Sequence, residues 1–221
     1  MRRILVIAAA GSGVRLGRDT AKALVPLAGS PILDWAVRAF APLSLDEVVV
    51  TAPAAHVAEL ERVVGARARV VAGGALRSDS VRAGFEAAGA SDADVVAVHD
   101  AARPFILAAE AAAVFAAAEL AGAAIAAIPI VDTVKLVANG RVVRTLDREG
   151  LFRAATPQAF RGEVLRRALE SGRSGTDESV LCEELGIHVA VVPVSRRAFK
   201  ITSAEDLELA EADAAAWNRP V

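Results

Sequence analysis

A chain of 221 residues can bury a full α/β core, and a single domain spanning 1–221 is the expectation. Hydrophobic residues make up 54%, dominated by alanine, with 4% aromatics and no tyrosine, so the core should consist of short aliphatic side chains in helix-rich layers. Lys+Arg 25 against Asp+Glu 27 leaves a formal net charge of -2 without a long basic block, which argues against a nucleic-acid partner.

The opening Met1-Arg2-Arg3-Ile4-Leu5-Val6 has the flavour of a signal peptide, but its apolar run meets Gly11, Ser12, Gly13 and Arg15 at once. A strand in a cytoplasmic protein, with no membrane span, is expected instead. Cys182 is the single cysteine, which suits a reducing compartment and a small buried hydrophobe.

Short β-branched runs alternate with alanine-rich helical stretches: Ile4–Ala9, Glu47–Thr51, Arg69–Ala72, Val95–His99, Ala123–Ile128 and His188–Val194 are the predicted strands. The β-α-β rhythm predicts a doubly wound, mostly parallel, Rossmann-like sheet whose ligands lie outside the carboxyl ends of the strands. Ser30-Pro31 reads as an N-cap followed by Pro at the first helical position, with Ile32, Trp35, Ala36 and Ala39 recurring on one face. Ser203 and Asp206 form a capping-box pattern that opens a last helix through Ala216. The segment 132–150 interrupts this rhythm, because Asn139-Gly140 between two valine-rich runs predicts a tight hairpin. Two strands alone are marginal in water, so this arm is expected to lie against a second subunit in a homodimer.

The loop Ala8-Ala9-Ala10-Gly11-Ser12-Gly13-Val14-Arg15-Leu16-Gly17 follows the first strand directly. Glycines let backbone N–H groups turn toward a phosphate, and Arg15 adds a fixed charge. A dinucleotide fingerprint needs Gly where Leu16 stands, and a Walker loop needs Gly-Lys-Ser/Thr where Gly17-Arg18 stands, so neither fits. The glycines alone are equally compatible with a plain strand-to-helix turn. After the third strand, Gly73-Gly74 lets backbone approach a base edge, while Ser80 can bond that base or cap a helix. Asp100, at the carboxyl end of an apolar strand, suits Mg²⁺ or another hard divalent cation on triphosphate oxygens, with Arg103 beside it. A buried Asp100–Arg103 ion pair that fixes the loop is the competing reading, and His99 reads as a packed core histidine.

Taken together, these segments resemble the 2-C-methyl-D-erythritol 4-phosphate cytidylyltransferase family of sugar-phosphate nucleotidyltransferases. The resemblance rests on Ala-Ala-Gly-x-Gly-x-Arg at 9–15, Gly-Gly-x-x-Arg-x-x-Ser-Val at 73–81, His-Asp-Ala-Ala-Arg-Pro at 99–104 and the 147–158 segment ending Thr156-Pro157-Gln158. Lys22 matches the family's loop lysine, although Ala21 and Ala23 replace the usual Pro and Gln. The resemblance implies transfer of a cytidylyl group from CTP to a small sugar-alcohol phosphate, with Arg15, Lys22 and Lys200 as catalytic cations. It implies nucleotide contacts at Ala9, Ala10, Gly11, Ser12, Gly13, Gly73, Gly74, Ser80 and Ala101. Substrate contacts are implied at Arg103, Thr133, Arg148, Thr156, Thr176 and Lys200, and a metal contact at Asp100. The residues alone leave Thr133 as a strand residue, Thr176 as a helix cap and Arg148 as a solvated charge. A related ribitol 5-phosphate cytidylyltransferase and a non-catalytic nucleotide-binding regulatory module are the alternatives.

Overall fold

The structure is a computed structural model that describes residues 1–11, 20–171, 175 and 177–217. Its first half comprises β1 (Arg3–Ala8), the two-residue strands β2 (Pro26–Leu27) and β3 (Ser30–Pro31), α1 (Ile32–Phe40), β4 (Glu47–Ala52), α2 (Val57–Val64), β5 (Arg69–Ala72), α3 (Arg77–Ala87) and β6 (Val95–Asp100). The second half comprises α4 (Ala108–Ala121), β7 (Ala123–Pro129), β8 (Val134–Ala138), β9 (Arg141–Leu146), β10 (Phe152–Arg161), α5 (Gly162–Glu170), α6 (Glu178–Glu184), β11 (Ala190–Pro193) and α7 (Ala204–Trp217).

Seven strands form one sheet in the order β11-β7-β10-β6-β1-β4-β5. β1 runs parallel to both β4 and β6, and the chain leaves β1 toward β4 and β5 before returning to its other side at β6. That reversal makes the carboxyl ends of β1 and β6 a topological switch point, where an open α/β sheet leaves a crevice. Alternate residues of β1 feed two cores: Leu5 and Ile7 pack with residues of α1, α2 and α4, whereas Ile4 and Val6 pack with residues of α3, α5 and α6. Every residue of β6 is buried, as a strand covered on both faces requires. A third cluster ties α7 to the β2–β3 turn through Ala210, Ala214, Leu27 and Trp35.

The doubly wound sheet and the predicted strands are present, but β10 is a strand that the sequence conceals. No strand was predicted over residues 147–158, whereas Phe152–Arg161 lies between β6 and β7, antiparallel to both. Pro157 argues against a central strand because it cannot donate to a ladder. The fold accommodates it in a register shift between Ala154 and Gln158. The Ser30-Pro31 cap also differs: Ser30 pairs with Leu27, Pro31 occupies the cap position without a side-chain bond, and the helix begins at Ile32. The last helix opens as predicted, with the Asp206 carboxylate accepting from the N–H groups of Thr202 (2.7 Å) and Ser203 (2.9 Å).

The arm is the β8–β9 hairpin, a two-stranded sheet separate from the main one. Ala138 pairs with Arg141 across Asn139 and Gly140, both at positive φ (50° and 72°), which is the two-residue turn that Asn-Gly favours. Among the described residues, no helix is long and apolar enough to cross a membrane.

Candidate active site

At the carboxyl ends of β1, β5 and β6 lies a cavity of about 350 Å³. The chain after β1 contributes Ala10 and Gly11, the turn after β5 contributes Gly74, and the end of β6 contributes Asp100 and Ala101. Lys22, Ser80 and Lys200 complete much of its polar wall. A second cavity of about 250 Å³ shares Arg77, Asp100 and Lys200 with the first and adds Arg103, Thr156, Gln158 and Asp177. The two hollows therefore meet at one carboxylate and two cations.

The Gly73-Gly74 turn is shaped by contact with α3. A Cβ on Gly73 would lie 2.6 Å from Ser80 Oγ, and one on Gly74 would lie 2.2 Å from Asp79 Cβ. Real side-chain carbons do not approach so closely, so only glycine permits this packing. Ser80 Oγ accepts from the Gly74 N–H (3.2 Å) and donates to the Leu76 carbonyl (3.2 Å). Ser80 therefore braces the turn within the cavity wall. It does not cap α3, whose first N–H at Leu76 is taken by the Asp79 carboxylate (3.1 Å).

Asp100 is only 6% exposed and is surrounded by three cations. Lys200 Nζ lies 2.8 Å from Oδ2, Arg77 lies 3.3 Å from Oδ1, and Arg103 Nε lies 3.6 Å from Oδ2. Burial opposes its charge, but Lys200 and Arg77 outweigh burial and hold the carboxyl well below the usual carboxylate range. The ion pair considered for Asp100 and Arg103 is thus present, widened into a four-residue cluster. Arg103 is also spent on structure, donating to the carbonyls of Ala198 (2.7 Å) and Ala154 (3.3 Å).

His99 is a core residue, as its single position on a strand suggested. It is fully buried and packs edge-on against Phe40 at 4.7 Å. Burial pushes its pKa down to about 4, so the ring is neutral near pH 7. Nε2 donates to the Arg103 carbonyl (3.0 Å), which leaves Nδ1 to accept from Thr156 Oγ1 (3.1 Å). Thr156 Oγ1 in turn accepts from the Asp100 N–H (3.0 Å), so this chain of bonds fixes both ends of the 100–103 turn.

Of the predicted site residues, Ala10, Gly11, Lys22, Gly74, Ser80, Asp100, Ala101 and Lys200 converge on the larger cavity. Arg103 and Thr156 join Asp100 and Lys200 at the smaller one. Ala9 and Gly73 line neither; their N–H groups are bound to Thr51 (2.9 Å) and Ala52 (2.7 Å) carbonyls, so they support the wall from behind. Thr133 and Arg148 are exposed on the arm and line neither cavity of their own chain. Arg15, Ser12, Gly13 and Thr176 lie outside the described residues.

Arg77 and Glu178 are the functional candidates that the sequence did not single out. Arg77 stood inside the Gly-Gly-x-x-Arg motif, but nothing local shows that it spans two cavities. Glu178 opens α6, whose cap is Asp177, accepting from the Val180 N–H at 3.2 Å, and not Thr176 as the sequence suggested. Glu178 itself turns inward to 2% exposure and pairs with Arg77.

The chain matches the model of the family described as 2-C-methyl-D-erythritol 4-phosphate cytidylyltransferase over residues 3–215. It is 43% identical to the protein of that name from Solibacter usitatus over 231 aligned positions, covering 95% of this chain and 94% of the relative. It is 41% identical to the one from Syntrophotalea carbinolica, covering 94% of both. The crystal structure of 2-C-methyl-D-erythritol 4-phosphate cytidylyltransferase from Thermus thermophilus superposes with a TM-score of 0.80 at 34% identity, covering 97% of this chain and 100% of that one.

Proposed function

The chain belongs to the 2-C-methyl-D-erythritol 4-phosphate cytidylyltransferase family, and we infer from this and from its cation-lined double cavity how it acts. It is a nucleotidyltransferase that converts CTP and 2-C-methyl-D-erythritol 4-phosphate to 4-diphosphocytidyl-2-C-methyl-D-erythritol and pyrophosphate, a step of isoprenoid biosynthesis. The observation that carries the site assignment is the convergence of Arg77, Asp100 and Lys200 where the two cavities meet, with Lys22 on the wall of the larger one.

The larger cavity takes the nucleotide and the smaller one takes the acceptor. A phosphate oxygen of the acceptor attacks the α-phosphorus of CTP in line; the new P–O bond forms as the bond to pyrophosphate breaks. The attacking phosphate is already anionic, so no general base is needed. That matches two cavities with no histidine or cysteine among their described lining residues: His99 is buried and neutral behind the wall, and burial pushes the Cys182 thiol up to about 12. Negative charge grows on the α-phosphate oxygens and the leaving pyrophosphate, and fixed cations stabilise it. Lys22 and Lys200 take this role, with Arg15 of the phosphate loop as a third.

Among the described residues, Asp100 is the one carboxylate that lines the larger cavity. Both of its oxygens face cations, and no group of three or more metal-ligating side chains occurs among the described residues. Such a site fits Mg²⁺ that arrives with the triphosphate, since this ion commonly takes one or two carboxylates plus phosphate oxygens and water. When bound, the ion would neutralise triphosphate charge.

The active unit is a homodimer. Leu136, Val137, Val142 and Val143 are 43–62% exposed on the arm, more apolar surface than an isolated hairpin can leave in water. Thr133 and Arg148 then serve the partner's acceptor cavity. The absence of a membrane-crossing helix among the described residues is consistent with a cytoplasmic enzyme. Pyrophosphate release with the acceptor and CTP, ATP or GTP in parallel tests the nucleotide assignment. CTP should be strongly preferred, because the backbone-lined Gly74–Ser80 wall favours the smaller pyrimidine; comparable turnover with ATP would overturn it.

A further inference from the structure

Glu178 has no role in the chemistry just described, yet it is a carboxylate at 2% exposure close to the centre of the site. One oxygen pairs with Arg77, and the other has no hydrogen-bond partner. A carboxylate withdrawn from water at this cost is retained only where its partner needs it. That partner lines both cavities, and its other guanidinium nitrogen reaches Asp100 Oδ1 at 3.3 Å.

We propose that Glu178 is a positioning residue that holds the Arg77 guanidinium across the junction of the nucleotide and acceptor cavities. The proposal rests on the assignment of those cavities made above. Without the anchor, Arg77 has a stronger alternative: it can turn fully onto Asp100, closing a two-pronged ion pair that withdraws it from the triphosphate. Glu178 prevents this by engaging one prong from the far side. It comes from the start of α6, packed against α5 on the opposite face of the sheet from α1, so the clamp is fixed by the core and not by a loop.

A double-mutant cycle separates positioning from general support of the fold. Arg77→Gln, Glu178→Gln and the double variant keep side chains that can still hydrogen-bond each other, and each is measured for melting temperature, kcat/KM and CTP dissociation constant. Glu178→Gln should weaken CTP binding and lower kcat/KM by roughly tenfold, and the double variant should be no worse than Arg77→Gln alone, giving a coupling of about that size. Effects that multiply, or CTP binding that is unchanged or tighter in Glu178→Gln, would overturn the proposal. If Glu178→Gln does not fold, Glu178→Asp, which keeps the charge but shortens the reach, is put through the same cycle. Wild-type protein that binds CTP but releases no pyrophosphate would defeat the assigned reaction, while the affinity cycle would still decide the role of Glu178.

Discussion

Lys200 Nζ lies 2.8 Å from Asp100 Oδ2, and the two residues bring the start of the C-terminal segment onto the end of the central strand β6. The contact sits where both cavities meet, so each partner is held in place by the other. Asp100→Asn should release Lys200 and leave three cations facing one another. Pyrophosphate release should fall by about 10²–10³. Thermal stability should also fall, by on the order of 3 kcal/mol, as for other buried clusters that lose one partner. EDTA should abolish wild-type turnover and Mg²⁺ should restore it; turnover that survives EDTA would contradict the ion assigned to Asp100.

Gly74→Ala places a Cβ 2.2 Å from Asp79 Cβ, a clash that only a backbone shift relieves. The expected cost is about 1–3 kcal/mol of stability. Because the same turn lines the larger cavity, CTP affinity should fall further than affinity for the acceptor phosphate. Calorimetric titration with each ligand checks this, and equal losses would argue against a nucleotide role for the turn.

His99 makes stability depend on pH in a definite direction. The unfolded chain binds a proton near the ordinary 6.5, whereas the folded ring resists protonation until about 4. Between those values the unfolded state holds more protons, so stability falls as pH falls. The total loss from this group is on the order of 3 kcal/mol. Asp100, Arg103, Thr156 and Phe40 face the ring and remain in His99→Asn. Denaturant melts across that range should show a shallower acid slope for His99→Asn than for the wild type; equal slopes would mean that the histidine is protonated in the fold.

The exposed arm leads to a complementation test. Arg148→Ala and Lys22→Ala proteins should each be nearly inactive and dimeric. If Arg148 serves the partner's site, mixed dimers contain one intact site, and part of the activity should return after dissociation and reassociation. Monomeric wild type, or no recovery in confirmed mixed dimers, would rule out a site shared between subunits.

What the sequence revealed was local and what it hid was distant. The strand ending at Ala8, the Gly73-Gly74 turn and the Asp100 strand end were legible because hydrophobic runs and glycines punctuate them directly. The strand β10 was hidden because Pro157 contradicts strand chemistry, and only its place beside β6 and β7 compensates. Arg77 and Glu178 are 101 positions apart, so their pairing is a product of the sheet order and of no local pattern. Ser80 and Arg103 show the complementary limit: residue type announced polar contacts, but the structure assigns much of their bonding capacity to carbonyls and turns.

The cleft's assignment is tested most directly by phosphorus NMR of CTP and Mg²⁺ with either 2-C-methyl-D-erythritol 4-phosphate or ribitol 5-phosphate, using wild-type protein and Lys200→Ala. The wild type should convert the first acceptor to a cytidine diphosphate ester with one pyrophosphate per CTP, and should turn over the second far more slowly. Lys200→Ala should still bind CTP but react about 10²–10³ times more slowly. No ester from the erythritol phosphate, equal rates with the two acceptors, or undiminished turnover in Lys200→Ala would contradict the reaction and site assigned to this cleft.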